Sequence, residues 1–175
     1  MKNQNKELQN LFEKIINERS ERAFDELYTK YSKLLFSVIV SICLNSDEAN
    51  DILHDVFIKI WNLDYSKLPG ENYLGWIYSV TRNATYDYIR KKKKYENIDD
   101  YKNQIANNGI EDVIETIHLD YLLEDLLEQE KLIVVSKALK GVNHNEISKL
   151  LGIPASTVRW KYREALKKIN VKMKG

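Results

Sequence analysis

The side chains best suited to chemistry in this sequence are cations at helical spacing near its end. Arg159, Lys161, Arg163 and Lys167 lie within ISKLLGIPASTVRWKYREALKKI, residues 147–169. An Arg side chain can donate two hydrogen bonds to a guanine edge, whereas Lys mostly neutralises phosphate. The spacing therefore predicts non-covalent recognition of a polyanion by one face of a helix.

Covalent chemistry has almost no support in the sequence. His54 and Asp55 are adjacent, but there is no HExxH spacing, and His118 and His144 fall on other predicted elements. No nucleophile–base arrangement and no Gly-rich phosphate loop is present. We expect no catalytic residue, no metal site and no cofactor.

Two predicted helices position the C-terminal cations. Asn143 followed by Glu146 resembles a capping box, Gly152 stands where a helix ends with positive φ, and Pro154 suits the first position of the next helix. The inward residues of the second helix are then Val158, Tyr162, Ala165 and Ile169. This pattern is typical of a helix-turn-helix, which places a helix in the DNA major groove. A solvated amphipathic helix pair is the alternative.

Four helices with short links are predicted upstream. A helix over about 6–18 precedes one whose apolar residues recur every three or four positions from Phe24 to Ile42. The third takes its N-cap from residues 45–47, and the fourth runs from about 73 to 93 after Leu-Pro-Gly. The core face of the third helix is Ala49, Ile52, Leu53, Val56, Phe57, Ile60 and Trp61.

The net charge of +1 averages over blocks of opposite sign. Residues 81–94 carry six Lys or Arg side chains against Asp87, and residues 137–175 carry ten against two Glu. Between them, residues 95–130 carry eleven acidic side chains against Lys102. The blocks predict two polyanion-facing surfaces separated by a segment that does not bind polyanions.

The composition, with two Pro and six Gly among 175 residues, favours helices. We predict two helical domains, 1–94 and 113–175, joined by a polar, Asn-rich linker at 95–112. The single Cys43 excludes a disulfide framework and indicates a reducing cytosol. The apolar stretch at 34–44 is too short to span a bilayer, so a soluble cytoplasmic protein is expected.

The stretch ISKLLGIPASTVRWKYREALKKI resembles the second conserved domain of bacterial RNA polymerase sigma factors of the extracytoplasmic-function (ECF) type, in the sigma-70 family. AFDELYTKYSKLLFSVIV, DEANDILHDVFIKIW and NYLGWIYSVTRNATYDYIRKKKK resemble the first conserved domain, in the expected order. The resemblance covers about 20–94 and 120–170. It implies an all-α fold of two small helical domains with a flexible acidic linker, and an alternative sigma factor that directs promoter-specific initiation.

One face of the third helix presents Asp51, His54, Asp55 and Ile58 at i, i+3, i+4 and i+7. Acidic groups around an exposed Ile suit docking of a basic partner surface, although an ordinary solvated face is the alternative. The resemblance implies that these residues bind the clamp helices of the large subunit of core RNA polymerase. The family often has Gln where this chain has His54.

The fourth helix combines a basic end with aromatic residues, and such a combination suits unpaired bases. The resemblance implies that it recognises and melts the minus-ten element, and that the loop 62–72 holds a flipped-out base. We expect Trp76 to serve mainly in packing. The candidate minus-ten residues are Tyr78, Arg82, Asn83, Arg90 and Lys91.

The resemblance further implies that the helix-turn-helix binds duplex DNA at the minus-thirty-five element. Glu164 falls where some relatives place a DNA-contacting cation. The candidate contacts are Ser156, Thr157, Arg159, Trp160, Lys161, Arg163 and Lys167.

The resemblance also implies that the acidic linker passes through the RNA path of the polymerase, and that an anti-sigma partner is possible. A helix-turn-helix regulator that does not join the polymerase is the main alternative. A helical interaction module, such as a sigma-like decoy, is a third class.

Overall fold

The structure, a computed structural model, describes residues 2–96 and 121–174. Within these ranges it is helical and contains no strand, which confirms the all-α prediction. Most of the predicted linker lies outside the described residues, and so does His118. The helices are α1 (Lys2–Glu18), α2 (Glu21–Cys43), α3 (Ser46–Trp61), α4 (Tyr73–Glu96), α5 (Glu128–Ala138), α6 (His144–Leu151) and α7 (Ala155–Lys174), with a short 3-10 turn at Tyr65–Lys67.

Polar side chains define where α2 and α3 begin. The Ser20 hydroxyl accepts from the Ala23 N–H at 3.3 Å, and Asn45 Oδ1 accepts from the Glu48 N–H at 2.9 Å. These bonds satisfy backbone donors that have no partner inside the helix. Asn45 is therefore the N-cap among the three residues that the sequence proposed.

Helices α1, α3 and α4 pack around α2. The predicted core face of α3 is buried from Ala49 to Ile60, with Trp61 half-buried at its end. Trp76 packs edge-on against Phe12, with ring centroids 5.3 Å apart, which agrees with its predicted role in packing. Tyr28 differs from its neighbours in the apolar stripe of α2, because its side chain is 48% exposed.

The turn between α6 and α7 has the predicted capping chemistry. Asn143 Oδ1 accepts from the Glu146 N–H at 3.0 Å, and Glu146 Oε2 accepts from the Asn143 N–H at 3.1 Å. Gly152 adopts φ +66°, and the Ser148 hydroxyl donates to the Ile153 carbonyl at 2.7 Å. Pro154 precedes the first residue of α7 instead of occupying it, and its carbonyl accepts from the Val158 N–H.

Helix α5 is joined to α7 through a buried carboxylate. Glu130 is 7% exposed and accepts from the Leu127 N–H at 3.0 Å and from Lys168 Nζ at 2.8 Å. Burial alone acts to raise the pKa of Glu130, but these hydrogen bonds and the Lys168 charge hold it below its usual value. The Glu130 carboxylate thus caps the start of α5 by accepting from the Leu127 N–H.

The N-terminal set of helices, α1 to α4, and the C-terminal set, α5 to α7, meet along α2 and α4. Helix α5 packs on α2, α6 approaches α4, and the buried apolar residues of both sets form one cluster. The described helices include none with the length and apolar content needed to cross a membrane.

Replacing Gly152 by Ala should destabilise the protein by about 1–2 kcal/mol, the usual cost of a left-handed conformation for a residue with a Cβ. No heavy atom lies within 4 Å of a Cβ built at Gly152, so the cost comes from the backbone alone. Gly70→Ala is the matched control, because its Cβ also meets open space and its φ is not left-handed. Urea unfolding followed by circular dichroism measures both, and equal midpoints would contradict the prediction.

Candidate polymerase and DNA interfaces

The outward face of α3 is built as the sequence predicts. Asp51, His54, Asp55 and Ile58 are all exposed, and the Ile58 side chain is 44% exposed. The opposite face of the helix is buried, which fixes the rotation of α3 and keeps these four residues in solvent. An apolar side chain thus stands among acidic groups on a rigid helix.

A groove of about 730 Å³ runs between α2 and this face of α3. The Tyr28 ring lies 4.8 Å from the Phe57 ring, and the Phe24 ring lies edge-on to Trp61 at 5.2 Å. His54 and Ile58 form part of the groove wall. Tyr28 was not predicted to line this site, because its position in the apolar stripe indicated burial.

The candidate minus-ten residues divide by exposure along α4. Asn83, Arg90 and Lys91 are exposed, whereas Tyr78 and Arg82 are half-buried. Burial raises the pKa of the Tyr78 hydroxyl, with Glu128 adding to the effect. Arg90 donates to Asp87 Oδ1 at 2.7 Å. Three of the five candidates are therefore accessible to a ligand, and they lie in the half of α4 that includes its basic end.

Arg82 is bound by a carboxylate of the other helix set. Its Nε and Nη2 atoms donate to Glu128 Oε1 at 2.6 Å and Oε2 at 2.9 Å, respectively. The Tyr86 hydroxyl donates to the same carboxylate at 3.2 Å, and the Arg82 guanidinium stands 4.9 Å from the Tyr86 ring centroid. The hydrogen bond from Arg82 holds the pKa of Glu128 below its usual value. Sequence patterns contain no signal for this contact, which joins residues 46 positions apart.

The basic end of α4 also has a structural contact. Lys92 Nζ donates to Glu48 Oε1 at 2.6 Å, which ties the end of α4 to the first turn of α3. At least one cation of the basic block at residues 81–94 therefore has a contact within the protein.

The loop 62–72 is ordered by its own polar side chains. Asp64 Oδ1 accepts from the Ser66 N–H at 2.8 Å and from the Ser66 hydroxyl at 2.7 Å. Asn72 Oδ1 accepts from the Gly75 N–H at 3.2 Å at the start of α4. Tyr65 projects from the loop with 54% of its side chain exposed. A flipped-out base at this loop stays a prediction.

The candidate minus-thirty-five residues lie on or beside the outer face of α7. Of the four predicted inward residues, Val158 and Ala165 are fully buried, whereas Tyr162 and Ile169 are half-buried. Trp160 is 54% exposed, and Lys167 Nζ donates to Glu164 Oε1 at 2.8 Å. Ser156, Arg159, Trp160, Arg163 and Lys167 are exposed, and Thr157 and Lys161 are half-buried.

Two models of conserved regions match the chain, Sigma-70 region 2 over residues 27–95 and Sigma-70 region 4 over residues 118–169. The chain belongs to the sigma-70 family. The first match contains the outward face of α3 and most of α4, and the second contains α5, α6 and the candidate minus-thirty-five residues of α7. Within the described residues, no group of three His, Cys, Asp or Glu is placed to hold a metal ion.

Curated relatives place the chain among the ECF sigma factors. ECF RNA polymerase sigma factor SigW of Bacillus subtilis (strain 168) is 26% identical over 174 residues, covering 89% of this chain and 92% of the relative. SigM of the same organism is 26% identical, with 82% and 92% covered.

Two solved structures share the fold at 17% identity. CnrH in complex with the cytosolic domain of CnrY has a TM-score of 0.53, covering 89% of this chain and 90% of that one. The sigma factor RpoE in complex with the anti-sigma factor NepR from Bartonella quintana has a TM-score of 0.50, covering 89% and 98%.

His144 supports the inner side of α7 and should titrate at unusually low pH. Its ring lies 5.5 Å from Tyr162, and burial, followed by the charges of Lys137 and Arg159, lowers its pKa from the usual 6.5. Because the folded pKa is depressed, the neutral ring stabilises the fold above pH 6.5, and this contribution is lost as pH falls.

Titration of the His144 ring by NMR measures the shift directly, and a pKa of 6.5 or higher would contradict the prediction. His144→Gln should reduce the loss of unfolding free energy between neutral and mildly acid pH.

Proposed function

We propose that this ECF sigma factor is an alternative sigma factor that joins core RNA polymerase through α3 and directs promoter-specific initiation through α4 and α7. The proposal is carried by the presence, in one chain, of an acidic face with an exposed Ile beside an apolar groove and of a helix-turn-helix with outward cations. A regulator that does not join the polymerase would have no use for the α3 face. The family matches support the same conclusion.

Docking on the polymerase would combine burial with charge. Ile58 and the ring of Tyr28 offer apolar surface at the edge of the groove, and removing such surface from water drives association. Asp51 and Asp55 flank it and would steer a basic helical surface into place. His54 lies within the same face and can hydrogen-bond through its imidazole ring.

At the minus-ten element, α4 would hold DNA whose strands have separated. Stacking on an aromatic ring requires an unpaired base, and cations beside the rings neutralise the backbone. We assign Tyr78, Arg82, Asn83, Arg90 and Lys91 to this element. Residues at the exposed end of α4 are accessible at once, whereas Arg82 must first leave Glu128.

At the minus-thirty-five element, α7 would enter the major groove of duplex DNA. Its N-terminal outward residues reach base edges, with Arg159, Trp160 and Arg163 as the main readers, whereas Lys161 and Lys167 contact phosphate. Ser156 and Thr157 lie in the first turn of α7, where short hydroxyls would fit against the DNA backbone.

The protein itself would perform no chemistry. The polymerase forms the phosphodiester bonds, and the sigma factor acts in the cytoplasm by binding opened promoter DNA more favourably than closed or random DNA. Because much of this binding is to phosphate, it would weaken steeply as salt increases.

The double charge reversal Asp51→Lys with Asp55→Lys should weaken binding to core polymerase at least tenfold, since close charge pairs across interfaces couple by ~1.5 kcal/mol or more. Glu18→Lys, at an exposed position that ends α1, is the control for added charge. Titration of core with labelled protein measures affinity, and run-off transcription on a promoter library measures initiation. Wild-type protein that binds no core and yields no promoter-dependent transcripts would overturn the proposal.

Arg163→Ala and Lys167→Ala should weaken DNA binding in different ways. Loss of a base-reading Arg should cost about 1–3 kcal/mol on the preferred sequence and relax the choice of base at one position. Loss of a phosphate-binding Lys should weaken binding to all sequences and reduce the salt slope by about one. Selection from duplex libraries by holoenzyme at several salt concentrations separates the two, and identical profiles would contradict the assignment.

A further inference from the structure

We propose that the free chain is held in a closed, self-inhibited form in which the carboxylate of Glu128 occupies Arg82 in place of promoter phosphate. This inference rests on the proposed function, because it concerns when the minus-ten surface becomes available. The contact is named here the Glu128–Arg82 latch, and it comprises Glu128, Arg82 and Tyr86.

Burial along α2 shows that the closed arrangement is a packed interface. The apolar stripe of α2 faces α1, α3 and α4, yet Phe36 and Val40 point away from it, since each residue advances by about 100° around a helix. Phe36 is nevertheless only 6% exposed and Val40 is fully buried. Helix α5 packs on α2, and Lys140 Nζ stands 3.8 Å from the Phe36 ring centroid.

Helix α5 has the matching property. Its residues from Leu132 to Ser136 are all buried in succession, whereas a helix on the surface of a single bundle exposes one side. One side of α5 contacts α6 and α7, and another contacts α2. The C-terminal helices therefore cover a surface of the N-terminal helices that would otherwise face water.

The chemistry of the latch imitates the chemistry of DNA binding. The two carboxylate oxygens of Glu128 receive two parallel N–H donors of Arg82, at 2.6 and 2.9 Å. A guanidinium binds a phosphate group through the same pair of donors. Arg82 cannot present this fork to both anions at once, so DNA must displace Glu128.

Dimensions show that the closed form cannot be the promoter-bound form. By their names, the minus-ten and minus-thirty-five elements are about 25 base pairs apart, which is roughly 85 Å along B-DNA at ~3.4 Å per base pair. A compact chain of this length has a radius of gyration of about 16 Å and hence a diameter near 40 Å. With α5 on α2, the α4 and α7 surfaces cannot reach both elements, and the two helix sets must separate.

Closure would therefore reduce the fraction of free chain that is competent for promoters. An equilibrium between closed and open forms lowers apparent affinity in proportion to the open fraction. The partly exposed ion pair supplies a modest share of the closing free energy, and the apolar contact of α5 with α2 supplies the rest.

The test compares Glu128→Lys with Glu124→Lys in the full chain. Both replacements add the same charge and remove a carboxylate that accepts from a cation, but the partner of Glu124 is Lys172 in its own helix set. Dyes at Lys6→Cys and Lys174→Cys, in a Cys43→Ser background, report the separation of α1 from α7.

Glu128→Lys should increase the separation of the dyes, whereas Glu124→Lys should leave it near the wild-type value. The Glu128→Lys protein should also reach half-maximal run-off transcription at about two- to fivefold lower concentration than the wild-type protein. This is the range expected from losing one exposed bidentate pair. Lys140→Ala, which removes the contact with Phe36, should open the chain independently. Separated dyes in the wild-type chain, or identical behaviour of the two Lys variants, would overturn the proposal.

A double-mutant cycle tests whether Arg82 is the partner through which Glu128 acts. Glu128→Gln should increase dye separation in the wild-type background and have no further effect beside Arg82→Ala. Additive effects would refute the latch. Because the dye measurement needs neither polymerase nor promoter, a failure of the proposed function appears only in the transcription assay and is distinguishable from a failure of the latch.

Discussion

The structure depends on the burial of α2 on every side of its C-terminal half. Residues from Leu34 to Ser41 are buried in succession, and α2 contacts α1, α3, α4 and α5. Each functional surface is positioned by one of these contacts. Packing of α3 on α2 creates the groove beside Ile58, and packing of α4 positions the candidate minus-ten residues. Packing of α5 brings the C-terminal helices onto the same scaffold. Because apolar burial is the main favourable contribution to folding, this helix links the stability of the N-terminal part to the position of the C-terminal part.

Carboxylates form ion pairs with two cations that could otherwise bind a polyanion. Glu128 accepts from Arg82, and Glu164 accepts from Lys167. Such partly exposed pairs contribute little to stability, but each places a carboxylate where phosphate would otherwise bind the cation. The pair of Glu130 with Lys168 differs, because the carboxylate is buried and also caps α5. Similar ion pairs therefore serve two purposes, and burial distinguishes them.

Much of the fold was predictable because its signals are local. Asn143 with Glu146, and Gly152 with its left-handed φ, act within a few residues of their own position, and periodicity located α2, α3 and α4. The outward face of α3 followed from the same periodicity. Tyr28 belongs to the apolar stripe of α2 but lines the groove. An apolar residue at the edge of a stripe can lie in the core or line a groove, and the outcome depends on how closely the neighbouring helix approaches. Helix α7 begins one residue later than predicted, so that Pro154 is its cap and not its first residue. A residue without an N–H suits both positions.

The sequence alone determined the helices, the helix-turn-helix, and the residue types on the outer faces of α3, α4 and α7. These properties arise from spacing and from side chains acting on nearby backbone. The tertiary structure decided which exposed groups meet, and thus that Glu128 binds Arg82 and that Phe36 and Val40 are covered by the C-terminal helices. Residues so far apart in the chain leave no periodic signal. Their contact depends on how two helical surfaces fit together, which packing in three dimensions decides.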